Sequence, residues 1–260
     1  MCGTCGCSDG AVKLTDPATG KEEALRSHHH HHGHDHHHHH DHDHDHETVV
    51  LEQAVLAKND RLAERNRGWF AARGILALNL VSAPGAGKTT LLERTIAELN
   101  GAVPISVLEG DQATLNDAER IRAAGAPVVQ INTGTACHLE ADMVARGVET
   151  LDPPAGSVVL IENVGNLVCP ALFDLGERAK VAVLSVTEGD DKPLKYPHMF
   201  DASSLMILNK IDLLPYVDFD VDACIERART VNPDIAMLRL SAKSGEGLDG
   251  WLDWLRAQAA

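Results

Sequence analysis

The chain has no apolar run long enough to cross a bilayer, and its first ten residues, MCGTCGCSDG, lack the charged and apolar regions of a secretory leader. The expectation is a cytoplasmic protein with no membrane partner. Positive charge is the second scarcity. Only 23 Lys and Arg stand against 38 Asp and Glu, a formal net charge of −15, which disfavours a nucleic-acid or anionic-membrane partner and eases the approach of a cationic ligand. Cysteine is sparse as well, and in a reducing compartment the six present are expected to be thiols or metal ligands, not disulfides.

What the sequence has in excess is histidine. Fourteen of its 16 histidines fall between Ser27 and Glu47: His28, His29, His30, His31, His32, His34, His36, His37, His38, His39, His40, His42, His44 and His46. A purification tag is terminal and unbroken, whereas this run is internal and threaded with Asp35, Asp41, Asp43 and Asp45. No hydrophobic core could absorb it, so residues 11–47 read as a disordered tail. Neutral imidazole binds borderline divalent metals, and neighbouring carboxylates lower the cost of gathering several cations, so the run reads as a flexible chelator for nickel or zinc. Ahead of it, in residues 1–10, Cys2, Cys5 and Cys7 form a C-x-x-C-x-C cluster in which Gly3 and Gly6 let the backbone fold around one ion. Three thiolates with a terminal amine suit a square-planar nickel(II) ion.

Residues 48–73 place Leu51, Val55, Leu62 and Trp69 near one face of an amphipathic helix that ends at Gly74 and packs on the domain as a lid. From residue 74 to 260 the period changes. GILALNLVS is a continuous apolar strand, and VPISVLEGD, APVVQIN, SVVLIENVG, KVAVLSVTEG, SLMILNKID and AMLRLSA follow with helix-compatible stretches between most of them. Such alternation predicts an α/β fold, a mostly parallel sheet with helices on both faces.

The first strand runs into SAPGAGKTTLLERTIAEL, a phosphate-binding loop in which Ser82 replaces the usual first glycine. Gly85, Ala86, Gly87, Lys88, Thr89 and Thr90 would cradle the phosphates at a helix N-terminus, with Lys88 on the β- and γ-phosphates and the Thr89 hydroxyl on Mg²⁺. NKID puts Asn209, Lys210 and Asp212 at a strand's C-terminal end, where such sheets bind ligands. An aspartate there accepts from both N1–H and the exocyclic amine of guanine, so the nucleotide reads as GTP. Ser241, Ala242 and Lys243 resemble the second guanine-contacting loop of GTPases. Asp111, closing LEGD, and Glu162, in IENVGN, are candidates for the cation and the attacking water, and either could polarise that water; Gly165 would meet the γ-phosphate. Lys88, Asp111 and Glu162 are thus the expected catalytic set. Adjacent Cys137 and His138, with Cys169 seven residues after Glu162, read as a second metal site; Cys224 reads as a buried hydrophobe.

Together MCGTCGC, the histidine run, SAPGAGKTTLL, TGTACHLEADMV, IENVGNLVCP, SVTEGDDKPLKYP and NKIDLLPY resemble the HypB family of hydrogenase nickel-incorporation GTPases over essentially the whole chain. The resemblance implies a P-loop NTPase of the signal-recognition, MinD and BioD (SIMIBI) class that delivers nickel during [NiFe] hydrogenase maturation. It implies that Cys2, Cys5 and Cys7 form a tight nickel site and that Cys137, His138 and Cys169 bind nickel or zinc. It also implies a nucleotide-dependent homodimer with the metal site at its interface, a nickel-binding accessory partner of the HypA type, and a hydrogenase large-subunit precursor as acceptor. One departure is that Ala83 and Pro84 stand where many relatives of the wider class carry an extra lysine, which leaves the charge to Lys88 or to a residue such as Lys192 or Lys195 across the dimer. A urease-type nickel GTPase, and a nickel or zinc storage protein whose nucleotide domain only senses state, are the alternative readings.

Overall fold

The computed structural model describes residues 12–16, 21–25, 43–99, 101–111 and 116–259. The Cys2, Cys5 and Cys7 cluster and the histidines from His28 to His42 lie outside them, and of His44 and His46 only the backbone is described.

The domain is built on seven parallel strands: β3 (Leu76–Ser82), β4 (Ile105–Asp111), β5 (Val128–Asn132), β6 (Val158–Glu162), β7 (Ala179–Ser185), β8 (Leu205–Asn209) and β9 (Ala236–Arg239). Two further strands, β1 (Val12–Asp16) and β2 (Lys21–Leu25), pair antiparallel, giving the order β2-β1-β5-β4-β6-β3-β7-β8-β9. The expected continuous strands are therefore all present, and their apolar character has a simple cause. Along β3, Leu78 and Leu80 face one layer of core while Ala77 and Val81 face the opposite one. The first layer takes Leu91 and Leu92 of α2 (Lys88–Leu99), Ile121 of α3 (Asn116–Ala123) and Trp251 of α9 (Leu248–Ala259). Trp251 also donates its indole N–H to Thr95 at 2.8 Å, fixing α9 on the helix that follows the phosphate loop. The opposite layer holds α1 (Asp43–Ala72) and α4 (Ala141–Leu151) at one end. At the other end are α7 (Pro197–Asp201) and α8 (Val221–Val231). Short helices α5 (Cys169–Leu172) and α6 (Lys192–Lys195) lie in the β6–β7 and β7–β8 connections.

Two boundaries differ from the sequence reading. Within the expected disordered tail, Val12–Asp16 and Lys21–Leu25 form strands, because the outer edge of β5 offers unpaired backbone groups to a polar segment that has no core of its own to join. The helix begins at Asp43, five residues before the expected 48. Its buried face also differs. Val55 is 42 % exposed and Leu62 and Trp69 are half-buried, while Leu51's side chain lies outside the described residues. The stripe that meets the domain is Asn59, Ala63, Asn66 and Phe70, spaced at helical period but half polar. Those two asparagines are buried because backbone groups across the interface satisfy them. Asn59 donates to Asp174 O at 2.7 Å and accepts from Ala141 N at 2.9 Å, and Asn66 donates to Ala141 O and Leu175 O at 2.8 and 3.0 Å.

Candidate nucleotide and metal site

The phosphate loop lies between β3 and α2, with Gly85 and Gly87 at φ +75° and +100°, values that side chains rarely adopt. At Gly87 there is no room either, since a Cβ would come 2.6 Å from the Asn209 amide. Lys88 is buried and its ammonium donates to Ser82 Oγ at 2.8 Å, so the serine in place of glycine holds the lysine over the loop. Burial lowers the Lys88 pKa and the Glu162 charge opposes that shift. Thr90 accepts from Arg120 at 3.1 Å at the edge of this site.

The guanine-loop residues are brought to the same end of the sheet. Asn209 works as a bolt: it donates to Ala86 O at 2.9 Å and accepts from Lys210 N at 2.7 Å and Ala242 N at 3.0 Å. One buried amide thereby joins phosphate loop, NKID strand and SAKSG loop. Lys210, at φ +64°, reaches Gly85 O at 2.7 Å. Ser241 accepts from Ser244 N at 3.0 Å and shapes the turn that carries exposed Lys243. Asp212 Oδ1 is buried and finds no partner among the described residues, the condition expected of an acceptor awaiting a base.

Two buried carboxyls, Glu162 and Glu109, lie near Lys88, and Asp111 lies near Glu109. Glu162 accepts from the Thr89 hydroxyl at 2.8 Å through Oε1, while its Oε2 is buried without a partner among the described residues. Burial raises Glu162 to about 7, against the opposing pull of Lys88 and Thr89. The residue missed in the sequence is Glu109, which is 2 % exposed and pairs in register with Glu162 across β4 and β6. Its Oε2 is also unpartnered among the described residues. Burial first, then Glu162, Asp111 and Asp117, push it up to about 9. Asp111, half-buried at the end of β4, completes the group. The buried oxygens of Glu162 and Glu109 that lack donors, beside the Thr89 hydroxyl and the Lys88 ammonium, form the all-oxygen chemistry of a hard cation, so Thr89 and Glu162 fit Mg²⁺. Gly165 lies against the phosphate loop: a Cβ there would come 3.0 Å from Pro84 Cα and 3.1 Å from Pro84 N. Pro84 therefore occupies with packing the place where an extra lysine was considered. Lys192 and Lys195 are engaged within their own chain, 3.9 Å from Glu188 and 2.7 Å from Asp191.

About the same segment, from Glu162 to Cys169, lies the metal constellation. Cys137, His138 and Cys169 present ligand atoms that all lie within 4.8 Å of one another, and the two sulfurs are 2.7 Å apart. His138 stacks on Phe173 with ring centroids 3.9 Å apart; burial lowers its pKa to about 4, which keeps the imidazole neutral and able to ligate. Its Nε2 finds no hydrogen-bond partner among the described residues. Asn166, missed in the sequence, directs its amide at Cys169 Sγ at 3.8 Å and accepts from Val168 N at 2.7 Å, ordering the turn that presents the thiol. Two thiolates and one imidazole form a soft to borderline set suited to nickel(II) or zinc(II). Cys224 is buried with its thiol pushed up to about 12 by burial, in keeping with an inert packing role.

Residues 76–239 match the family model for the CobW/HypB/UreG nucleotide-binding domain. The hydrogenase maturation factor HypB of Escherichia coli (strain K12) is 63% identical over 208 residues, spanning 80% of this chain and 72% of its own. The hydrogenase/urease maturation factor HypB of Helicobacter pylori is 37% identical over 211 residues, 80% of this chain and 86% of its own. Two solved structures share the fold. HypB from Archaeoglobus fulgidus has a TM-score of 0.73 at 40% identity, covering 78% of this chain and 100% of that one. HypB from Helicobacter pylori in complex with nickel has a TM-score of 0.73 at 36% identity, covering 78% and 95%.

Proposed function

Because the chain belongs to the CobW/HypB/UreG family, and within it to the HypB hydrogenase maturation factors, we propose that it is a GTP-hydrolysing nickel metallochaperone serving [NiFe] hydrogenase assembly. In this reading Asp212 selects guanine through its unpartnered carboxylate, and the loop from Gly85 to Thr90 holds the phosphates against the N-terminus of α2. Lys88 exchanges Ser82 for phosphate oxygens. Thr89 and Glu162 would hold Mg²⁺, which would supply charge neutralisation to the phosphates. Glu162 is committed to that layer by its bond to Thr89, which leaves Asp111 to orient the attacking water. The Cys137, His138 and Cys169 site carries nickel or zinc as cargo, the Cys2, Cys5 and Cys7 cluster adds a tight nickel site, and the histidine run stores nickel. A homodimer formed with GTP and metal, an accessory protein of the HypA type and the hydrogenase large-subunit precursor are the proposed partners, in the cytoplasm.

The observation that carries the reading is the continuity of the two sites. Glu162, bonded to Thr89, is followed by Asn163, whose side chain accepts from Leu139 N at 3.1 Å beside His138, and by Cys169 six residues beyond Asn163. A γ-phosphate that draws Gly165 inward must then shift Cys169 relative to Cys137 and His138. Linkage makes the effect reciprocal, and a typical coupling of about 1–3 kcal/mol changes metal affinity roughly 5- to 150-fold. Lys88→Ala should abolish GTP hydrolysis. Nickel affinity measured with GDP and with a non-hydrolysable GTP analogue should differ, and Cys169→Ala should remove the difference. Equal affinities in the two nucleotide states would show that the nucleotide does not control the metal, and hydrolysis surviving Lys88→Ala would discard the catalytic assignment.

A further inference from the structure

The Cys137, His138 and Cys169 site is drawn from two separate segments, residues 137–138 before α4 and residue 169 at the start of α5. No backbone pairing between those two segments is needed to explain their approach, because a third element touches both. Asn59 of α1 accepts from Ala141 N, the first residue of α4, and donates to Asp174 O, two residues beyond α5. Asn66, two turns further along the same face, donates to Ala141 O and Leu175 O. Arg67 pairs with the Asp174 carboxylate and donates to Glu177 O at 2.9 Å. Close approach is built into the other side as well. A Cβ on Gly176 would come 2.5 Å from Ala63 O and 2.8 Å from Arg67 N of α1. Both contact points adjoin the ligands: Ala141 is three residues from His138, and Asp174 follows Phe173, whose ring stacks on the His138 imidazole.

We infer that α1 is a latch for the metal site, with Asn59, Asn66 and Arg67 acting as positioning residues that fix the separation of the segment carrying Cys137 and His138 from the segment carrying Cys169. The geometry suits that role better than simple adhesion. A helix held for stability alone would bury an apolar stripe, whereas this face, among its described side chains, spends two of four buried positions on amides that each bind both segments at once. Each amide thus spans the seam across which the ligands meet. Truncating Asn59 and Asn66 leaves α1 anchored by Ala63, Phe70 and the half-buried Trp69 but frees the two segments to move apart. Partners that orient metal ligands without touching the metal typically change affinity about 10- to 100-fold when removed.

The inference rests on the metal reading of this site, and the experiment separates the two. Full-length protein carrying Cys2→Ser, Cys5→Ser and Cys7→Ser keeps Cys137 and Cys169 as the thiols that can give thiolate-to-nickel absorption, since Cys224 stands outside their cluster and burial pushes its thiol up to about 12. Nickel affinity read by titrating that absorption, which the histidine run does not give, the position and strength of the absorption, and the rate at which a diamide oxidant joins Cys137 to Cys169 without metal are measured in this background. Adding Asn59→Ala with Asn66→Ala should weaken nickel binding about tenfold or more, alter the absorption and slow the thiol pairing, with GDP affinity unchanged. Val55→Ala, on the exposed face of α1, should leave all of these unchanged. Asn59→Asp keeps an acceptor for Ala141 N but loses the donor to Asp174, so it should fall between, and it serves if the double variant does not fold. If nickel binding, absorption and thiol pairing are all untouched in the asparagine variants, the latch is wrong. If Cys169→Ser leaves nickel binding and its absorption unchanged, the metal site itself is wrong and the latch falls with it.

Discussion

Asn163→Ala tests how the nucleotide and metal sites communicate. The side chain is 1 % exposed and accepts from Leu139 N at 3.1 Å and Val164 N at 3.0 Å, while donating to Asn79 Oδ1 at 3.2 Å. Asn79 donates onward to Glu177 at 3.0 Å, and Glu177 accepts from Leu175 N at 2.7 Å and faces Lys180 at 3.8 Å. Lys180 in turn donates to the carbonyls of Pro170 and Phe173 at 2.8 and 3.3 Å, within and just after the short helix that starts with Cys169. Truncation at 163 orphans two buried backbone donors at about 1–3 kcal/mol each, hence a loss of roughly 2–6 kcal/mol, and water entering the vacated space favours the lower end. Denaturant titration reads that loss. The functional readout is the ratio of nickel affinities with GDP and with a non-hydrolysable GTP analogue. It should fall toward one in Asn163→Ala while GDP affinity changes little, because Asn209, Asp212 and the phosphate loop are untouched. Asn79→Ala interrupts only the branch to Glu177 and leaves Leu139 N bonded, so it should keep part of the ratio. A stability loss under about 1 kcal/mol, or a ratio equal to the parent's, would refute this account of the network.

Other perturbations have defined signs. Asp212→Asn should weaken GTP by about 1–3 kcal/mol and favour xanthine nucleotide in competition binding; undiminished GTP affinity would overturn the guanine assignment. The Glu109 carboxyl, at about 9 when folded against about 4.5 unfolded, binds its proton more tightly in the folded chain, so stability without nucleotide should fall as pH rises from 6.5 to 9. Glu162, raised to about 7, acts in the same direction, whereas His138, lowered to about 4, costs stability only below pH 6.5. Glu109→Gln should flatten the slope above pH 6.5, and melting curves of variant and parent that stay parallel would remove Glu109 from the account. Deleting residues 27–47 should cut nickel stoichiometry sharply and leave GTP turnover nearly intact; unchanged metal content would end the storage reading.

The features legible in the sequence are those whose chemistry is local. Gly85, Gly87, Lys88 and Thr89 act within one turn of chain, Asn209 and Asp212 within four residues, and the inner parallel strands announce themselves because they are buried on both faces, while the edge strand β9 is partly exposed. The three ligands Cys137, His138 and Cys169 could be grouped because their segments follow strand ends that all open on one side of the sheet. Residues that went unseen have distant partners. Asn79 was hidden in an apolar strand and meets Asn163 from 84 positions away; Asn59 and Asn66 read as the wet side of a helix and find their partners 82 and 75 positions along the chain. Glu109 passed as an ordinary strand residue because its in-register neighbour Glu162 belongs to a strand more than fifty residues later.

A partial signal was present in each case, and its physics is the same. An asparagine inside a run as apolar as LALNLVS costs on the order of 1–3 kcal/mol unless its amide is fully bonded, so its presence implies a partner that the strand itself does not supply. The Asn59, Ala63, Asn66 and Phe70 spacing likewise traces a helix face that hydrophobic periodicity alone would discard. In this protein the buried asparagines gather where segments must hold a relative position: at the join of phosphate loop and guanine loops, at the seam of the metal ligands, and on the path between them. Apolar packing gives the sheet its stability but tolerates small slips between layers, whereas an amide bonded to two backbones fixes their separation to within a hydrogen bond's tolerance. That difference explains why, among the described residues, the buried asparagines Asn59, Asn66, Asn79, Asn163 and Asn209 lie at these joins.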